Sequence, residues 1–195
     1  MPDYLKAEEF ILDKLRSELS PQLSYHGMHH VLDVLEAAQR IAVAEGLDAN
    51  EIKLLRIAVC YHDAGFLSTY HGHEEVGCEM ARQNLPAYGF TEKDIDKICG
   101  MIMATHLPQN PLTLAEKVIA DADLDYLGRE DFYTTGETLF REFQLFLGVK
   151  DENEWNEIQL RFLRNHSYHT NYSQRTRGGE KEKRLAEIEA LVHSP

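Results

Sequence analysis

The sequence predicts an all-α protein, and three observations carry that expectation. Apolar residues recur at steps of three and four through almost the whole chain. The two-residue alternation of a half-buried strand is nearly absent. Helix-start and helix-stop residues fall where the periodic segments begin and end.

Residues 3–19 set Leu5, Ile11, Leu12, Leu15 and Leu19 along one stripe, and Ser20-Pro21 ends the segment. Residues 28–45 carry Val31, Leu32, Leu35, Ala38, Ile41 and Ala42 at helical spacing, with Gly46 as a C-terminal cap. Asp48 with Glu51 reads as a capping box opening a third helix through Ile52, Leu55, Ile57, Ala58 and Val59. A loop over 65–72 follows, then helices over 73–85, 91–106 (Thr91 as N-cap) and 112–127. Residues 130–147 carry Phe132, Leu139, Phe140, Phe143 and Phe146, and residues 152–166 carry Trp155, Ile158, Leu160, Phe162 and Leu163. The polar stretch 167–179 reads as a loop, either a cover for a site or a plain connection, before a charged terminal helix over 180–193. The sum is about eight or nine helices in one domain over 1–195, with no repeat or boundary between domains.

Composition narrows the function. A chain of 195 residues suits one domain at roughly 100–200 residues each. Such a chain buries about 70% of its unfolded surface and needs no disulfide staples. Asp and Glu number 33 against 20 Lys and Arg, a net charge of −13. That balance excludes a polybasic binder of nucleic-acid polymers or membranes. It admits a small anionic ligand held through a metal ion. Cys60, Cys78 and Cys99 are odd in number and form no C-x-x-C pair, so they read as reduced thiols in a cytoplasmic protein. The N-terminal MPDYLKAEEFILDKL lacks the form of a signal peptide. The longest uncharged apolar run falls well short of the roughly 18–20 residues of a membrane span.

The excess to be explained is histidine: ten of them, several beside carboxylates. They fall in Tyr25-His26-Gly27-Met28-His29-His30, Tyr61-His62-Asp63, His71-Gly72-His73-Glu74-Glu75 and Thr105-His106, and Asp121-Ala122-Asp123-Leu124-Asp125 adds three carboxylates. His26 and His30 share a face if the segment is already helical there; His29 and His30 diverge, so at most one of these two serves a given ion. Asp63 follows an apolar helix and is costly there unless something compensates its charge. Each cluster alone also reads as a hydrogen-bonded core histidine or a solvated face. Imidazole and carboxylate gathered at helix ends suit zinc, iron, manganese or nickel.

The ordered set resembles the HD-domain superfamily of metal-dependent phosphohydrolases. Its pattern is a His opening one helix, a His-Asp pair ending the next, and a later Asp after two apolar residues. His30 in HHVLDV, His62-Asp63 in AVCYHDAG and Asp123 in VIADAD match it, and the likeness spans about residues 24–128, with 130–195 completing the bundle. It implies that His30, His62, Asp63 and Asp123 bind one divalent ion. The family's register after Val118-Ile119 selects Asp123 over Asp121; Asp121 and Glu74 then orient ligands or water. His73, in competition with His71, and His106 fall where two-metal members carry the ligands of a second ion, with Asp63 bridging. Tyr25-His26-x-x-x-His30 is similar to the opening motif of cyclic-nucleotide phosphodiesterases of the superfamily, which implies His26 as general acid.

The resemblance implies hydrolysis of a small phosphate mono- or diester, a nucleotide included, by a metal-activated hydroxide. One or two ions would serve, from among Mn, Fe, Zn, Ni, Co and Mg. Arg129, Arg175, Arg177 and Lys181 are candidates to grip phosphate, and an oligomer is compatible with the apolar stripes. Two other classes fit the same ligands: a di-iron oxygenase resembling myo-inositol oxygenase, and a metal-bound module without catalysis.

Overall fold

The computed structural model describes residues 2–193. Among them nine α-helices follow one another with no strand: α1 (Tyr4–Glu18), α2 (Met28–Glu45), α3 (Ala49–His62), α4 (His73–Asn84), α5 (Glu92–Met103), α6 (Leu114–Asp123), α7 (Phe132–Phe146), α8 (Glu152–Asn165) and α9 (Asn171–Val192). Short 3-10 turns at Ala64–Leu67, Leu85–Tyr88 and Asp125–Gly128 join three of the pairs. The protein is all-α, and among the described residues no helix is long and apolar enough to cross a membrane.

Local chemistry sets the helix starts. Asp48, Thr91 and Thr113 each accept from a backbone N–H three residues on, and Glu51, Asp94 and Glu116 reach back to complete capping boxes. Gly46, with φ of 80°, ends α2 in the left-handed region as the sequence predicts.

The larger core joins α1 through α6, with Ile11, Leu15, Ile41, Leu55, Ile57 and Ile102 almost wholly buried. On α1 the buried stripe is Ala7, Ile11 and Leu15; Leu5 instead points to solvent. A second core gathers Leu124, Leu127, Phe132, Leu160, Leu163 and Ile188 from the Asp125–Gly128 turn and α7–α9. Burial of these side chains at about 1.5–3 kcal/mol each is the main force holding the C-terminal helices in place.

The loop expected over 167–179 is largely helix. Only 167–170 is irregular, and 171–179 forms the first turns of α9. Tertiary contacts outweigh the weak helix propensity of Gly178-Gly179. Thr170 caps the helix by accepting from the Ser173 N–H. Arg177 donates to buried Asp125 at 2.8 Å, and Gly128 lies so close to α9 that an added Cβ would sit 2.5 Å from the Arg177 carbonyl oxygen. Residues 91–106 and 112–127 also stop short of the expected helices: His106 lies beyond the end of α5, and α6 breaks at Leu124 into the 3-10 turn.

Asp125 is the electrostatic tie between the two cores. It is 1% exposed and lies 2.7 Å from Arg40 Nη2, 2.8 Å from Arg177 Nε and 3.6 Å from Arg129 Nη1. Its removal would leave half-buried guanidiniums facing each other. Asp125→Ala is expected to cost about 3 kcal/mol in urea unfolding. Arg164→Ala, at an exposed pair with Glu189, is expected to cost under about 1 kcal/mol. Equal losses for the two would contradict the tie.

A candidate metal centre at three helix ends

The first helical turn of α2 supplies His30, the last residue of α3 is His62, and Asp63 caps it. The last residue of α6 is Asp123. These side chains converge although they lie far apart in sequence. His30 Nε2 is 3.0 Å from Asp123 Oδ1 and 3.4 Å from Asp63 Oδ2. His62 Nε2 is 3.2 Å from Asp63 Oδ2, 3.4 Å from His30 Nε2 and 3.5 Å from Asp123 Oδ1. His30, His62 and Asp63 are buried and Asp123 is nearly so.

The donor chemistry fits a cation. His62 Nδ1–H donates to the Val59 carbonyl at 2.7 Å, which leaves Nε2 turned to the centre. Asp63 Oδ2 is buried and has no hydrogen-bond partner. Two carboxylate oxygens and two imidazole nitrogens at this spacing stay together only with a proton or a positive ion among them. Two of the three helix dipoles act in the same direction: α3 and α6 end here, presenting partly negative C-termini, while α2 begins here with a partly positive N-terminus.

Without a metal, protons take up part of that demand. Burial would lower the His62 pKa, but Asp63 and Asp123 hold it well above the ordinary histidine value. Burial would raise both carboxyls, yet His62 keeps Asp63, and the bonds from His30 and His62 keep Asp123, below the usual carboxylate range.

Asp63 faces two ways. Its Oδ1 lies 3.6 Å from His73 Nε2, at the start of α4. His73 Nε2 is 3.5 Å from Glu74 Oε1, and Glu74 is buried. His106 is half-exposed and meets Glu74 Oε1 through Nδ1 at 3.2 Å rather than Asp63. A glycine fixes this second row: a Cβ on Gly65 would sit 2.0 Å from the His73 carbonyl oxygen, so the Ala64–Leu67 turn packs directly under the start of α4. His71 is exposed and away from the row.

His26 stands at the mouth. Its Nδ1–H donates to Glu142 Oε1. Glu142, wholly buried on α7, also accepts from the backbone N–H groups of Tyr25 (2.8 Å) and His26 (3.1 Å), and from Tyr70 OH (3.0 Å). Phe66 stacks on two imidazoles, on His26 at 4.3 Å and on His73 at 4.0 Å. Burial works against protonation of His26, but the Glu142 bond and the Asp63 and Asp123 charges outweigh it and raise the pKa.

Glu142, Tyr70 and Phe66 escape a reading by motif. Glu142 alone left a signal, a charge spaced three and four residues from Leu139 and Phe146 on an apolar face. Asp121 does not orient a ligand: its oxygens accept from the N–H groups of His169 and Thr170, both at 2.8 Å, and from the Thr170 hydroxyl at 2.6 Å, anchoring the start of α9. The four basic candidates are engaged or remote. Arg129 is held by Asp33 and Asp131, Arg177 by Asp125, Lys181 by the His166 carbonyl, and Arg175 is exposed. A cavity of about 160 Å³ opens over Asp63, Asp123, His26 and His73, and none of the four basic candidates lines it.

Comparison with known proteins follows this geometry. The HD-domain family model matches residues 27–125, just over half the chain. The chain belongs to the HD-domain family. Two solved structures share the fold across nearly their whole length. A predicted HD superfamily hydrolase from an uncultured Thermotogales bacterium is 19% identical, with a TM-score of 0.62 over 98% of this chain and 92% of that one. Bacillus subtilis YpgQ, in complex with ADP, is 19% identical, with a TM-score of 0.66 over 96% of this chain and 94% of that one. No curated protein sequence matches significantly.

The centre predicts a pH-dependent metal response. A cation must displace the proton that His62 retains, so metal binding strengthens as pH rises. The proton-bound state has the opposite trend. The raised His62 pKa contributes stability below about pH 6.5 that is lost as pH rises through the folded value, while the two depressed carboxyls contribute above about pH 4. Mn²⁺ added to metal-stripped protein should raise Tm more at about pH 8 than at about pH 5.5. Equal gains in a thermal scan would contradict displacement.

Proposed function

We propose that this HD-domain protein is a metal-dependent phosphohydrolase that cleaves a small phosphate ester. The observation that carries the reading is the meeting of His30, His62, Asp63 and Asp123 around an orphaned carboxylate oxygen, on the wall of a cavity that His26 also lines. Membership of the HD-domain family and the likeness to an HD superfamily hydrolase support it. The ADP bound to YpgQ supports a nucleotide as one substrate class.

A divalent ion held by these four residues would supply Lewis acidity and a hydroxide near neutral pH. The remaining work belongs to the side chains. Asp63 is suited to bridge, because its two oxygens face different imidazoles. His73, Glu74 and, behind them, His106 are the donors available to a second ion.

His26 is the proton donor in this reading. Glu142 accepts Nδ1–H, so the proton that His26 gives up sits on Nε2. The raised pKa favours retention of that proton, which lies ready for the leaving oxygen. Phe66 limits rotation of the ring, and Tyr70 holds the Glu142 carboxylate in position.

Two variants test the assignment. His26→Ala should retain metal, measured by elemental analysis, yet lose about 100-fold or more in kcat on an alkyl ester and far less on a p-nitrophenyl ester. Equal losses on both substrates would remove His26 from the proton transfer. Glu142→Gln takes away the strongest influence raising the His26 pKa. The alkaline limb of the kcat/KM profile for a poor leaving group should then move to lower pH. An unmoved limb would contradict the pairing.

A further inference from the structure

The cavity has two chemically different ends. One is the acidic and imidazole wall just described. The other runs between α7 and α8 and is lined by hydrocarbon and aromatic rings, among them Phe132, Phe143, Trp155, Ile158, Phe162 and Leu163. Gln159 is the one amide in this arm. One of its Nε2–H groups donates to Asn156 at 3.3 Å, so the other N–H and the carbonyl oxygen of this single side chain are what the arm offers to the hydrogen-bonding edge of a base. Among the described residues, no lysine or arginine lines the cavity at either end. The protein as a whole carries a net charge of −13. A triphosphate or diphosphate chain would therefore meet no lysine or arginine, and only the His26 imidazole beyond the metal ligands, whereas a single phosphoryl group would need no more.

Resting on the phosphohydrolase reading, we propose that the preferred substrate is a monophosphate ester of an apolar alcohol, its phosphoryl group at the His-Asp wall and its hydrocarbon part in the α7–α8 arm. Hydrolysis consumes one water. A P–O bond forms to the water oxygen, the P–O bond to the alcohol breaks, and the alkoxide takes a proton, releasing inorganic phosphate and the free alcohol. The apolar arm provides affinity in proportion to the hydrocarbon it covers. At about 0.8 kcal/mol per methylene, each added carbon tightens binding about fourfold until the arm is full.

Trp155 is the single tryptophan of the chain and lines the arm, so its fluorescence reports occupancy without turnover. The experiment titrates the Mn²⁺-loaded protein with n-alkylphosphonates from ethyl to decyl, which resist hydrolysis. Phosphate release is measured in parallel from the matching n-alkyl phosphates, AMP and ATP. The expected result is a Trp155 signal whose midpoint falls about fourfold per methylene over several carbons, with kcat/KM for the alkyl phosphates rising in step and octyl phosphate exceeding both nucleotides. Affinity that stays flat from ethyl to decyl, or a nucleotide turned over better than octyl phosphate, overturns the apolar-alcohol class and leaves the phosphohydrolase reading standing. A chain-length dependence in the fluorescence, with no phosphate released from any ester, supports the apolar arm and overturns the hydrolase reading instead.

Discussion

Mutual repulsion among buried acceptors is the constraint on which this structure depends. His62 Nε2, Asp63 Oδ2 and Asp123 Oδ1 lie within 3.5 Å of one another or of His30 Nε2, inside a protein that shields them from water. Such a set is unfavourable unless positive charge enters it. The fold supplies part of that charge through retained protons, and a divalent ion would supply the rest. The three helix ends are arranged so that charge complementarity, not hydrophobic contact, decides what occupies the space between them.

The rest of the architecture holds those ends in place. The core of α1–α6 sets the approach of α2, α3 and α6. Asp125 then ties the C-terminal segment of that core to α9 through Arg177 and to α2 through Arg40. The second core packs α7 and α8 against Leu124 and Leu127, bringing Glu142 beneath His26 and the apolar rings beside the acidic wall. The site therefore lies where two cores meet, and each contributes a different chemistry to it.

Much of this was legible in the sequence because short-range rules governed it. The capping box at Asp48, the N-cap at Thr91, the cap at Gly46 and the apolar stripes each follow from a few neighbouring residues. Imidazoles and carboxylates stood out where they interrupt apolar helices at their ends, and the resemblance to the HD-domain superfamily singled out His30, His62, Asp63 and Asp123 among them. What the sequence concealed depended on contacts across long separations. The start of α9 read as a loop because its stability comes from Asp121 and Asp125, about fifty residues away. Arg177 looked free to bind phosphate because its carboxylate partner, Asp125, is 52 residues away, and one of the two aspartates that hold Arg129, Asp33, is 96 residues away. Glu142 was hidden for the same reason, with His26 116 residues before it.

The position of Glu142 bears on what counts as the working unit of this protein. The recognisable family segment closes at residue 125, yet the carboxylate that fixes the His26 tautomer sits on α7, past that limit. So do most of the rings that shape the hydrocarbon end of the cavity. In the proposed reading the recognised motif carries the candidate ion ligands, while proton delivery and selectivity would draw on helices that the motif does not include. Relatives that keep the ligands but exchange those later helices would be free to change the molecule they accept without disturbing how they grip the ion.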